Sequence, residues 1–202
     1  ILNLGSSFVH TGGLLSIGHS SGNTAGDVYL EPDTYNLGGG SALTIEAATS
    51  GQNISLRSNI PLNHLDIKGI NAPTLTLNTH PLTLNGNFIL EAGATFVSND
   101  LNQRFKGDFT NAGAFLPQSS TSYFSGDNQV ITGDGTAFYD LIIEPANSVT
   151  LSSGTNLTIH RDLVLLSGTL DDGGNYLDVN RNLYNNAMHV SSNPDAGGIR
   201  LS

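Results

Sequence analysis

An all-β chain wound as a right-handed parallel β-helix, a β-solenoid with three short strands per coil of about 21 residues, is what this sequence predicts. Three observations point there. Short apolar runs start about six to eight residues apart, each bounded by Gly, Asn, Asp or Pro, which leaves no room for a helix between them. Every third run begins alike, so the pattern closes on itself after about 20 to 22 residues. The 202 residues are only 12% charged and include 24 Gly, against roughly 25% charged for an average domain. Ser, Thr, Asn and Gly must therefore wet the surface, and these are poor helix-interior residues.

The second half of the chain carries the pattern most plainly. Leu141–Ile143, Val149–Leu151, Leu157–Ile159, Leu163–Leu165, Thr169–Asp171, Leu177–Val179 and Leu183–Asn185 read as strands. Leu141, Leu163 and Leu183 head one family, Val149, Leu170 and Val190 mark a second, and Leu157, Leu177 and Ile199 mark the third. Alternation sends Leu141 and Ile143, Leu157 and Ile159, and Leu177 and Val179 inward, with Thr158 and Asp178 outward. Asp172-Gly173-Gly174-Asn175 reads as a corner where positive φ is tolerated. Right-handed winding follows from the chirality of parallel crossovers. A longer similarity, offset by about 75 residues, relates 50–113 to 125–187: Leu65-Asp66-Ile67 matches Leu141-Ile142-Ile143, and Leu82-Thr83-Leu84 matches Leu157-Thr158-Ile159. The expected organisation is one solenoid segment over 1–202. Residues 1–49 form irregular coils, 50–124 the first copy of the longer repeat, and 125–202 the second copy with a following coil.

Composition also bounds function. Seven Lys and Arg, scattered along a chain of net charge -10, do not make the basic cluster that nucleic-acid binding needs. No apolar window is long enough to insert in a membrane as a helix. The absence of Cys removes disulfides, zinc-thiolate sites and thiol catalysis. The chain starts at Ile1 with no signal-like segment, which reads as a processed product or a window of something longer.

Gly107-Asp108-Phe109-Thr110-Asn111-Ala112-Gly113 and Ser125-Gly126-Asp127-Asn128-Gln129-Val130-Ile131-Thr132-Gly133 form a recurring cassette. It continues through Gly135-Thr136-Ala137-Phe138-Tyr139-Asp140-Leu141-Ile142-Ile143 to Ser167-Gly168-Thr169-Leu170-Asp171. Over about residues 50–187 this resembles the repeats of very large secreted, adhesin-like surface proteins of Bacteroidota and related bacteria, exported by the type IX route. The resemblance implies an extracellular or cell-surface location and a stalk or adhesive role, with no catalytic motif to carry over.

The residues agree in offering no enzyme. Asp171 with Asp172, and Asp127 with Asp134, are the carboxylate pairs a glycosidase reading would use, yet all sit in Gly-rich turns where Asp bonds its own backbone. No Gly-x-Ser-x-Gly elbow or phosphate loop is present. No cofactor is expected. Calcium is the one metal worth weighing, with Asp127, Asp171 and Asp172 as candidate ligands, although neither a Gly-Gly-x-Gly-x-Asp nonapeptide nor an Asp-x-Asp-x-Asp loop appears. Surface glycans, as possible partners, would want exposed aromatics, for which Tyr139 and Tyr184 are the candidates. The leading expectation is a non-enzymatic structural and adhesive module. The alternatives are a filament subunit stacking head to tail and a carbohydrate-binding or carbohydrate-active β-helix. Strand-like Ile199-Arg200-Leu201 suggests that further coils of the same chain, or identical subunits, continue the stack.

Overall fold

The computed structural model of the chain describes residues 5–19, 25–193 and 197–202. Among these there is no helix, and the strands stack in parallel as a solenoid whose turns are roughly 21 residues apart. Each turn visits three faces. The first face is one nine-stranded sheet running from Gly13–His19 through Phe88–Leu90 and Phe109–Asn111 to Met188–Val190. The third face begins with a pair, Ser7–His10 with Thr34–Leu37, and resumes as six strands from Leu82–Leu84 to Asn182–Asn185. Between them a single bridge, Leu62 with Leu84, marks a coil with no third-face strand.

The second face is broken. Five strands end at Ala114–Leu116, and four more begin at Thr136–Phe138, with no ladder joining these two. The neighbouring faces remain paired across the same level, Phe109 opposite Ile131 and Thr121 opposite Asp140. The two strands also differ in which positions they bury. In Ala114–Leu116 the middle residue, Phe115, points inward, whereas in Thr136–Phe138 the two end residues do. This level is called the seam below.

Packing takes over where the backbone ladder stops. Phe88, Phe96, Phe105, Phe109, Phe115, Phe124 and Phe138 form one buried cluster. Across the seam the rings of Phe115 and Phe138 stand 5.5 Å apart, and Phe138 also meets Phe109 and Phe124 at 5.6 and 5.8 Å. Below and above this level the core is mainly aliphatic, with Leu75 and Leu77 on one side and Leu157, Ile159, Leu163 and Leu165 on the other. Large rings fill the altered cross-section, since an unfilled gap in a close-packed core forfeits contact energy.

The inward and outward alternation follows the sequence: Leu141, Ile143, Leu157, Ile159, Leu177 and Val179 are buried and Thr158 and Asp178 point out. Leu141, Leu163 and Leu183 stack in register, as do Leu157, Leu177 and Ile199. One family needs correction by a residue. Val149 stacks under Leu170, but Leu170 then meets His189, while Val190 lies beside Asp171. The ring of His189 reaches the buried carboxylate of Asp172 at 2.9 Å, a tie that fits the last first-face strand to that register. The corner Asp172–Asn175 forms as expected, with φ of +61° at Gly173 and +84° at Gly174.

The backbone repeats at one coil. Residues related by the 75-residue offset fall on different faces: His64–Ile67 is a first-face strand and Asp140–Ile143 a third-face strand. Likewise Leu82–Leu84 lies on the third face and Leu157–Ile159 on the second.

Candidate functional site

Outward side chains and corners are where any function of a filled solenoid must lie, and here many of the polar ones bond to a neighbouring coil. Ladder hydrogen bonds lapse at corners, leaving backbone N–H groups in need of acceptors. Short Asn and Asp side chains supply them one coil away. Asn87 Oδ1 accepts from the Asp108 amide at 3.0 Å, and Asp108 Oδ1 from the Val130 amide at 2.8 Å. Asp100 serves Ser119, Asn102 serves Thr121 and Asn156 serves Tyr176 in the same way. Asp134 accepts from both the side chain and the backbone of Asn156, and these bonds hold its carboxyl below the usual carboxylate range.

Basic side chains are committed likewise. Arg57 Nε lies 2.6 Å from Glu31, Arg161 Nε 2.6 Å from Asp140, Arg181 Nε 2.7 Å from Asp162 and Arg200 Nε 2.6 Å from Asp178. Arg104 reaches Glu144, and Lys68 Nζ sits 2.6 Å from Asp66 and 2.9 Å from Glu91. Four tyrosines lie under these guanidinium groups. Arg200 stands 3.8 Å from the Tyr176 ring centre, Arg104 4.5 Å from Tyr123, Arg161 4.9 Å from Tyr139 and Arg57 5.6 Å from Tyr29. Each clasp joins carboxylate, guanidinium and ring across coils, a geometry Arg serves better than Lys. The charges respond in the expected sense. Arg181 draws the Asp162 carboxyl downward, Arg57 does so for Glu31 and Lys68 for Glu91, while hydrogen bonds to Asp66 and then Glu91 push the Lys68 ammonium upward.

The residues singled out in the sequence are placed as follows. Asp127 is exposed in its turn. Asp171 and Asp172 point to opposite sides of the wall. Asp171 Oδ1 accepts from the Gly173 and Ser192 amides at 3.0 and 2.9 Å. Desolvation raises the Asp171 carboxyl, yet these bonds outweigh it and hold the group below its ordinary value. Asp172 is fully buried and accepts from Ser191 Oγ at 2.6 Å and the Gly174 amide at 2.8 Å, with His189 on its second oxygen. Among the described residues, no three His, Cys, Asp or Glu side chains converge in a way that could hold a metal ion. Tyr139 is half-buried with Arg161 across one ring face, whereas Tyr184 is 52% exposed beside Val164 in the outward column Tyr123, Ile142, Val164, Tyr184.

Sequence reading missed the Arg clasps, yet their signal was present. Arg104 and Tyr123, Tyr139 and Arg161, and Tyr176 and Arg200 are each separated by about one coil, the step at which a solenoid stacks side chains. No protein-family model, curated protein or solved structure matches the chain.

Proposed function

We propose that these coils are a non-enzymatic structural and adhesive module, a stalk or adhesin repeat of a bacterial cell-surface or extracellular protein. One observation carries the reading: Arg57, Lys68, Arg104, Arg161, Arg181 and Arg200, six of the seven basic residues, are each paired with a carboxylate from another coil. Chemistry that a binding or catalytic surface would present to a ligand is here turned onto the neighbouring coil. A rod cross-tied in this way transmits load along its axis. The resemblance to type IX-exported surface repeats supports the location.

Antibody raised against the purified chain should label intact cells of the source bacterium, and deletion of these coils should reduce attachment of those cells to a surface. Labelling that appears only after permeabilisation would overturn the reading.

A second reading is head-to-tail stacking into a filament, which the edges of the last strands neither favour nor oppose over a following coil. Asn182–Asn185, Met188–Val190 and Gly198–Leu201 each pair along one edge only among the described residues. Unpaired edges recruit further strands, either a following coil or a second copy. Sedimentation of the isolated chain over a concentration series separates these, because only self-stacking yields rods that lengthen with concentration.

A further inference from the structure

The geometry points to His64 as an acid-sensitive clasp that ties the N-terminal coils to the regular stack only while its ring is neutral. His64 opens a first-face strand, and its ring spans three coils. Nδ1 lies 2.9 Å from the Asn87 backbone N in the coil above, and Nε2 lies 3.1 Å from the Gly39 carbonyl oxygen in the coil below. A backbone N–H only donates, so Nδ1 must present a lone pair; a carbonyl only accepts, so Nε2 must carry the proton. The two contacts together specify one neutral tautomer.

Neighbouring residues hold the ring in this arrangement. Asn63 Nδ2 bonds Ser41 Oγ at 2.9 Å and the Gly38 carbonyl, and the Gly86 amide bonds Asn63 O at 2.8 Å. A Cβ placed on Gly86 would fall 2.6 Å from His64 Cε1, so only glycine lets the upper coil lie flat against the ring. A second proton on His64 sets an N–H at Nδ1 against the Asn87 N–H. The corner bond is lost, and an amide is left without its acceptor.

The titratable and charged side chains on elements packed around the ring are Glu46 on the strand below, Asp66 on its own strand, Lys68 just past that strand's end, and Glu91 and Asp108 from coils above. His10 lines the same small cavity as His64. Among the described residues none of these groups hydrogen-bonds the ring, whose partners are Gly39 and Asn87.

The chain supplies its own control. One coil higher, Asn87 holds the corresponding corner position, and its Oδ1 accepts from the Asp108 amide by a bond that does not titrate near neutral pH. In this column the acceptor is histidine at His64 only, with Asn87 and then Asp108 serving the coils above.

Amide exchange, corrected for the intrinsic effect of pH, tests this directly. Between pH 7.5 and about pH 5 the Asn87 amide should lose about tenfold or more of its protection relative to the Asp108 amide. His64→Asn should abolish that difference while keeping the coil paired. Ring nitrogen chemical shifts of the unsubstituted protein give an independent measure and should report the Nε2–H tautomer at pH 7.5. An unchanged Asn87-to-Asp108 ratio, an acid response that survives His64→Asn, or an Nδ1–H tautomer would each overturn the proposal.

Discussion

The coils below the seam and those above it solve the same problem with different corners. Below, the passage from the second to the third face takes several residues, 78–81, 98–102 and 117–120. Above, it takes Tyr139 alone, then 160–161 and 180–181. The wide corners are lined inside by polar groups. Ser120 Oγ and Ser122 Oγ donate to Gln103 Oε1 at 3.2 and 3.0 Å, and Ser98 Oγ donates to the Pro117 carbonyl, all fully buried. The narrow corners have no interior to fill and instead project Tyr139, Arg161 and Arg181 outward, where Asp140 and Asp162 receive the two guanidinium groups. The wide corners at 98–102 and 117–120 are thus held from within by neutral hydrogen bonds, the one at 78–81 by His80 Nε2 at 2.8 Å from Glu31, and the narrow ones from outside by charge. Two cross-sections of different shape cannot share every ladder, and the second face is where the mismatch is absorbed.

If that comparison is right, its largest consequence lies at the seam. Phe138→Ala removes a ring that touches Phe109, Phe115 and Phe124 where no second-face ladder substitutes for it. It should cost about 4 kcal/mol, the usual range for a buried Phe. Urea unfolding should also split from one transition into two, one for each segment. A single transition at an unchanged midpoint would show that the rings do not couple the segments.

A smaller effect is expected at the charged corner. Asp140→Ala deletes a buried carboxylate that holds Arg161 and accepts from the Asp162 amide at 3.2 Å, at a cost of about 2 kcal/mol. Calorimetry of the variant checks the size. Carboxylates above the seam also set an acid limit. Arg181 lowers the Asp162 carboxyl at a narrow corner, and Asn156 lowers that of Asp134 between the first and second faces. Their contribution is therefore complete above the unfolded carboxylate value of about 3.9 and is lost as pH falls below it through the folded values. Urea midpoints followed downward from pH 5 should fall below about pH 4. A midpoint that does not fall there would remove charge as the tie of the upper corners.

The smallest change sharpens the lower segment. Thr79 sits in a wide corner with φ of +70°, a conformation costly for a β-branched residue. Thr79→Gly should raise stability by about 0.5 kcal/mol once the added freedom of the unfolded chain is offset. A lower melting temperature would mean that its 2.9 Å hydroxyl bond to Asn78 outweighs the strain.

Much of this fold could be read from residue order, and the reasons are local. Leu157-Thr158-Ile159 and Leu177-Asp178-Val179 alternate in a way only a half-buried strand allows, and Gly173-Gly174 can only be a corner. The seam was hidden because Ala114-Phe115-Leu116 and Thr136-Ala137-Phe138 are both short apolar runs, and which positions face inward depends on the coil beneath. The clasps were hidden for a related reason. Tyr139 looked like a free aromatic until Arg161, one coil on, was found across its ring.

Period and parity within a strand, turn chemistry and the one-coil step are properties of neighbouring residues, so the sequence by itself determined an all-β parallel solenoid. Register between coils is set by corner length and by what the interior must hold, and these are known only when coils are stacked. For that reason only the tertiary structure decided that a ladder fails between Leu116 and Thr136, that seven phenylalanines gather around that level, and that His64 meets a backbone donor on one side and a carbonyl on the other.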